Sequence, residues 1–296
     1  MEIQAKRFGE VLNEWFRILG KNWKPLLLTS LVAHVPLAAA VGVVFWLTGA
    51  GEAFEVILDP ESYEDVPYAE ILEILEPFLW SSAIWVILQL IAGVFVYLAA
   101  ARIVAEHMAD RPTDWREAAG FAWGRLAKGV VSALVVVGIV AALAAVAGGL
   151  GWALVTAFEV NFLTVFVTTT VALTTLVVLI WITVSVAFGA LVIAMEDAGP
   201  IAALTRSFTL VQRRWWVTVG FTLLVGLIAS TISQVVGTAL VPVFLVGIAY
   251  PDFFALGLAM SALLQGPLLA ALAVAYAVWY IDLRARREPV LGQQLV

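Results

Sequence analysis

Cysteine is absent from this chain of 296 residues, which excludes disulfides, thiolate metal sites, thiol nucleophiles and cysteine-borne lipid anchors together. Histidine is nearly absent too, with His34 and His107 the two present. Charge is scarce: 13% of the residues are Asp, Glu, Lys or Arg, against 63% hydrophobic, too few polar side chains to cover a water-soluble globule of this length. No HExxH and no GxSxG motif offers hydrolytic chemistry. The chain is therefore not expected to be an enzyme, and it implies no cofactor, no metal and no nucleic-acid partner.

What is present is apolar and long. Charge-free runs occupy 25–51, 77–101, 129–158, 160–195, 215–251 and 253–281. Each exceeds the roughly 20 residues that a helix rising about 1.5 Å per residue needs to cross about 30 Å of hydrocarbon. Spans are predicted at about 26–48, 78–101, 130–155, 163–187, 217–241 and 256–281, with the two longest runs read as single tilted or protruding helices. All 16 Lys and Arg residues fall in the segments 1–24, 102–128, 196–214 and 282–296, and the intervening loops have none. The positive-inside rule makes those segments cytoplasmic, so both termini are expected inside a multi-pass protein of the cell membrane. The first run is too long for the apolar region of a cleaved signal peptide, and Met1 is expected to remain.

The outer side is acidic instead. Nine lie in the first outer loop, 49–78, without a single base (Glu52, Glu55, Asp59, Glu61, Glu64, Asp65, Glu70, Glu73 and Glu76). Such a block reads as a solvated loop, although it could also attract cations or a basic partner. Tyr68, Ile71, Leu72 and Leu75 recur at helical spacing, which predicts a short helix over Pro67–Pro77 lying on the outer surface.

An internal repeat organises the remainder. EWFRILGKNWKPLLL (14–28), AGFAWGRLAKGVVSAL (119–134) and RSFTLVQRRWWVTVGF (206–221) place Phe16, Phe121 and Phe208 seven residues before Trp23, Lys128 and Trp215, where a span begins. The closing segments RIVAEHMADRP, LVIAMEDAGP and YIDLRARREP end at Pro112, Pro200 and Pro289. The fold class predicted is thus all-α integral membrane, with six transmembrane helices as three tandem repeats of an interfacial amphipathic helix plus two spans. The repeats cover about 1–111, 112–199 and 200–296 of a single domain. Two spans per unit return the chain to its starting side, so the repeat is parallel, with all three amphipathic helices on the cytoplasmic face. Phe8, Val11, Leu12, Trp15, Leu19 and Trp23 form the apolar stripe of the first, and Ile201, Leu204, Phe208, Val211 and Trp215 that of the third. Asp114 with Glu117 offers a capping box to the second.

The stretch ALTRSFTLVQRRWW (203–216) and the ending YIDLRARREP (280–289), on six spans with an amphipathic helix before each pair, resemble the membrane domain found N-terminal to some bacterial glycerophosphoryl diester phosphodiesterases. Arg206, Ser207, Trp215, Tyr280, Asp282, Leu283, Arg284, Arg286 and Glu288 carry the resemblance, which extends over nearly the whole chain. Pro289, Val290 and Leu291 stand where that family usually continues with Gly-x-Asp. The phosphodiesterase barrel is not among these residues, so the resemblance implies a stand-alone, non-catalytic member.

Two sets of polar residues are candidates for function. Within the spans, His34, Gln89, Ser230, Gln234 and Gln265 could line a polar cavity, because each needs a partner in hydrocarbon. Gly266-Pro267 is where a helix could break and free backbone groups. The structural alternative is hydrogen bonding between helices helped by small residues such as Gly226. At the cytoplasmic ends, Arg102, Arg206, Asp282 and Arg284 form a charge cluster in which Asp282 is expected to pair with Arg206 or Arg102, while His107 is expected to be solvated. The function read from these features is that of a scaffold or lipid-interacting accessory module, with a small-solute or lipid transporter as the alternative. Membrane lipids are the implied partners, together with another membrane or cytoplasmic protein.

The topology has a direct check. A cysteine placed at Ser62 should react with a membrane-impermeant thiol reagent from outside, and one placed at Gln293 should not. Reversed labelling would remove the orientation.

Overall fold

A computed structural model describes residues 7–49, 66–158 and 160–287, together with the single positions 53 and 56. Glu52, Glu55, Asp59, Glu61, Glu64 and Asp65 of the acidic loop lie outside the described residues, as do Glu159 and Glu288. Every regular element among the described residues is an α-helix: α1 (Phe8–Thr48), α2 (Tyr68–Met108), α3 (Trp115–Phe158), α4 (Phe162–Val186), α5 (Gly189–Glu196), α6 (Pro200–Gln212), α7 (Trp215–Ala249) and α8 (Pro251–Arg287). Six helical stretches are long and apolar enough to cross a membrane, α4 and α5 counting as one. The chain is an all-α membrane protein.

Local chemistry sets the helix ends. The Arg7 N–H donates to Glu10 Oε2 at 2.7 Å at the start of α1, and Gly49 ends that helix in the left-handed conformation, φ 66°. Asn161 and Thr164 cap α4 reciprocally, with bonds of 3.0 and 2.9 Å, which fixes the tight link from α3. Asp114 accepts the Arg116 N–H at 3.0 Å ahead of α3. Pro200 opens α6, where a missing N–H costs nothing.

The predicted amphipathic segments do not all become separate helices. The first is continuous with its span in the 41-residue α1, bent at a single non-helical residue, Asn22 (φ −115°, ψ 21°). Its amide donates to Ile18 O at 3.1 Å and meets His107 Nδ1 at 3.0 Å, so His107 is half-buried and bonded to the bend rather than solvated. In the second unit α3 runs through the corresponding position without interruption. α6 alone stands apart, and Arg213 and Arg214 separate it from α7. A helix gains one bond for each residue added, so a change of surface polarity does not stop it unless a residue leaves helical geometry. For the same reason the predicted short helix Pro67–Pro77 is the first part of α2, which continues through Pro77, and α8 continues through Gly266-Pro267 without a break.

A break occurs instead in the fourth span, at Ala187 and Phe188. Ser207 of α6, fully buried, repairs it: its hydroxyl accepts the Phe188 N–H at 3.2 Å and donates to Ser185 O at 2.8 Å. Gly189 admits α6 at the same place, because a Cβ there would come within 3.0 Å of Leu204 Cδ2.

The core is built on the pairing of the first and last helices. α1 packs along α8 more extensively than any other two elements, and α2 lies against both. The Trp15 indole donates to Ala271 O at 2.9 Å across this seam. Toward the basic end the core takes in Ile18, Leu98, Phe188, Leu191, Phe221 and Trp279, and a second cluster toward the other end centres on Phe45, Val41 and Phe254. α3 and α4 flank this body. The most apolar window of α3 is only 6% buried, against 39% in α2 and α8, so most of its side chains can be satisfied only by lipid.

Ser207→Ala should lower stability by about 1–3 kcal/mol, because it leaves a buried N–H and a buried carbonyl without partners. Thermal unfolding in detergent measures this. An unchanged midpoint would mean that the break is held otherwise.

Candidate functional site

Polar side chains gather in three places. Between α2 and α8, Gln89 Nε2 donates to Gln265 Oε1 at 3.3 Å, and Gln265 Nε2 donates to Ser261 Oγ at 3.3 Å. His34 of α1 is fully buried, with Nδ1 3.0 Å from Ser30 O on its own helix. Its ring lies on the Gly266 backbone, where a Cβ would come within 2.8 Å of His34 Cγ and Nδ1. Glycine there is a matter of room: any side chain would push α1 away from α8. His34 Nε2 and Gln89 Oε1 are buried without a hydrogen-bond partner among the described residues.

The structure brings Gln89 and Gln265 together and sets His34 beside Gly266, the neighbour of Gln265. It does not add Ser230 and Gln234 to them. Both are exposed on α7, and the Ser230 hydroxyl bonds back to Leu227 O at 2.9 Å, as Thr238 does to Gln234 O at 2.8 Å. Spacing placed these residues on one face, and that face points away from the core.

At the basic end, each buried carboxylate is held by arginine. Glu196, the last residue of α5, accepts from Arg206 Nε at 3.3 and 3.1 Å and from Tyr280 Oη at 2.5 Å, with Arg284 Nε at 3.7 Å. A carboxylate at a helix C-terminus is disfavoured by the helix dipole, and the two guanidinium groups offset this. Glu106 is held by Arg102 at 2.5 Å and Arg111 at 2.6 Å, and Asp282, 3% exposed, by Arg286 at 2.7 Å. Of the expected cluster, Arg206 and Arg284 thus meet on Glu196, whereas Arg102 serves Glu106 on its own helix and Asp282 takes Arg286 one turn along α8. Pairs one turn apart form within a helix before any tertiary partner is needed. Arg102 also lies over the Phe121 ring at 5.5 Å, with Arg125 on that ring at 4.1 Å. Exposed Asp197 sits 3.0 Å from Lys128 and 3.6 Å from Arg125, and the Lys128 hydrogen bond and charge, followed by Arg125, hold its carboxyl below the usual range.

Glu196 and Glu106 were not among the residues singled out from sequence, and Tyr280 was named there only as part of the resemblance. The available signal was position: an acid lies midway along both LVIAMEDAGP and RIVAEHMADRP, and Tyr280 opens YIDLRARREP. No group of three or more His, Cys, Asp or Glu suited to a metal ion occurs among the described residues. The arrangement neutralises charge and positions helices.

The third place is a groove of about 830 Å³ between α4 and the α6–α7 junction, lined by Val177, Val178 and Trp181 on one side and residues 212–217 on the other.

No family model matches this chain, and no curated protein or solved structure matches it significantly.

Glu196→Gln should cost about 1–3 kcal/mol, since it weakens charge-assisted bonds to two arginines near the core. Chemical unfolding of the variant beside Glu70→Gln, whose acid lies on an exposed stretch of α2, measures the difference. Equal stability would mean that Glu196 does not lock these helices.

Proposed function

We propose that this chain is a non-catalytic multi-pass module of the cell membrane, a scaffold whose interior polar groups serve helix association, and a relative of the phosphodiesterase membrane domain it resembles. One observation carries the scaffold reading. Gln89 donates to Gln265 across the packed interface of α2 and α8, and Gln265 in turn donates to Ser261 on its own helix. Family kinship is supported by the convergence of residues that carry the resemblance: Arg206, Tyr280 and Arg284 meet on one carboxylate, and Ser207 joins α6 to the broken fourth span.

A threefold plan of amphipathic segment plus two spans is part of the proposal, and backbone geometry supports it. Asn22 and Arg214, each one residue before the tryptophans aligned at Trp23 and Trp215, share nearly one conformation (φ −115°, ψ 21° and φ −129°, ψ 29°). Asp110 and Asp197, shortly before Pro112 and Pro200, both adopt the left-handed region with φ 52° and 50°. Non-glycine residues visit that region seldom, so two unit ends using it independently argues for a common design. The cytoplasmic location of both termini follows from the placement of the basic residues.

A small-solute transporter is the second reading, favoured by the unpartnered buried atoms His34 Nε2 and Gln89 Oε1. Gln89→Leu separates the two. A scaffold loses about 1–2 kcal/mol of stability with nothing added, as it loses an interhelical bond. A transporter keeps its apo stability and loses solute uptake in proteoliposomes, an outcome that would displace the scaffold.

A further inference from the structure

The basic end of the molecule treats its arginines unequally. Arg102, Arg111, Arg125, Arg206, Arg284 and Arg286 are all within reach of a carboxylate. Arg213 and Arg214 are not: they are exposed, adjacent, and make no ion pair or side-chain hydrogen bond among the described residues. They stand at the turn between α6 and α7, on one wall of the groove of about 830 Å³. The opposite wall is apolar and aromatic, with Val177, Val178 and Trp181 of α4. Trp216, 80% exposed, lies beside the arginines.

We propose that this groove is a docking site for one anionic phospholipid, its phosphate between Arg213 and Arg214 and the upper part of an acyl chain along Val177 and Val178. Three physical points select this occupant. Two adjacent unneutralised guanidinium groups call for an anion, and the planar fork of arginine matches phosphate oxygens. The groove is far larger than a lone ion requires and falls within the roughly 300–1,000 Å³ of small-molecule sites. Its tryptophans and arginines lie where two apolar helices, α4 and α7, approach their basic ends, the level of headgroups for a spanning helix. A zwitterionic lipid would bring its own cation to the arginines and gain less. The inference rests on the multi-pass reading, and it gives the lipid-interacting part of the proposed function a site and a headgroup charge.

Its closing experiment uses the full chain in detergent with added lipid, followed by native mass spectrometry. The wild-type protein should retain phosphatidylglycerol over phosphatidylcholine by on the order of tenfold, the scale set by two basic residues near a phosphate. Arg213→Gln with Arg214→Gln should abolish that preference. Lys21→Gln with Lys24→Gln, which leaves the groove intact, should keep it, and Arg213→Lys with Arg214→Lys should restore most of it in a protein of unchanged thermal stability. Equal retention of both lipids by the wild type, or a preference that survives loss of both arginines, overturns the site. Co-purification of a protein that occludes the groove and is lost in the same double variant also overturns it. The underlying membrane reading fails differently: the chain would then be recovered from the aqueous fraction of cells rather than from membranes.

Discussion

A buried hydrogen-bonding group in this chain must find its partner in the protein, because so little else around it is polar. That requirement shapes the interior more than hydrophobic burial does, since apolar side chains are nearly as well placed against lipid as against one another. The α4–α5 break exists because Ser207 can supply what the broken ladder loses. Glu196 can sit at a helix end near the core because Arg206, Arg284 and Tyr280 reach it. Gln89 and Gln265 can occupy the middle of long apolar helices because they face each other. Each of these solutions ties together elements that are distant in sequence, and so each also fixes the packing.

These ties are uneven across the molecule. α1, α2, α5 and α8 share a dense interior, in which α1 meets α8 through small residues: Gly266 against His34 and Gly42 against Ala259. α3 and α4 are held chiefly near the basic end, through Gly129, Ser132 and the ring of Phe121. Farther along they pack against each other, as at Gly151 and Thr168. Rigidity and charge neutralisation are thus concentrated at one end of the bundle.

The six long helices were legible in the sequence because the bilayer imposes a length and a polarity that composition alone reveals. The joints were not. Nothing in the residues around Asn22, Lys128 and Arg213 distinguishes a bend from an unbroken run or a separation, and the helices take these three forms at the three places. The deep amides were identified as needing partners, and Gln89 with Gln265 formed such a pair. Ser230 and Gln234 were grouped with them because helical periodicity shows which residues share a face but not which way that face points. Glu196 escaped notice for a related reason: it lies just beyond a span, and its partners Arg206 and Tyr280 are 10 and 84 residues away.

The α1–α8 seam also has a consequence in time. A ribosome delivers α1 first and α8 last, and membrane insertion follows the order of synthesis, so the helix that begins the core waits for the helix that completes it. Throughout translation the indole of Trp15 lacks the carbonyl of Ala271, and His34 lacks the glycine surface on which it comes to rest. The nascent chain therefore passes through a long stage in which its first helix is inserted but unmatched. During that stage a chaperone, the insertion machinery or neighbouring lipid has to shelter these side chains. The α1 surface is fully matched only once α8 has joined it.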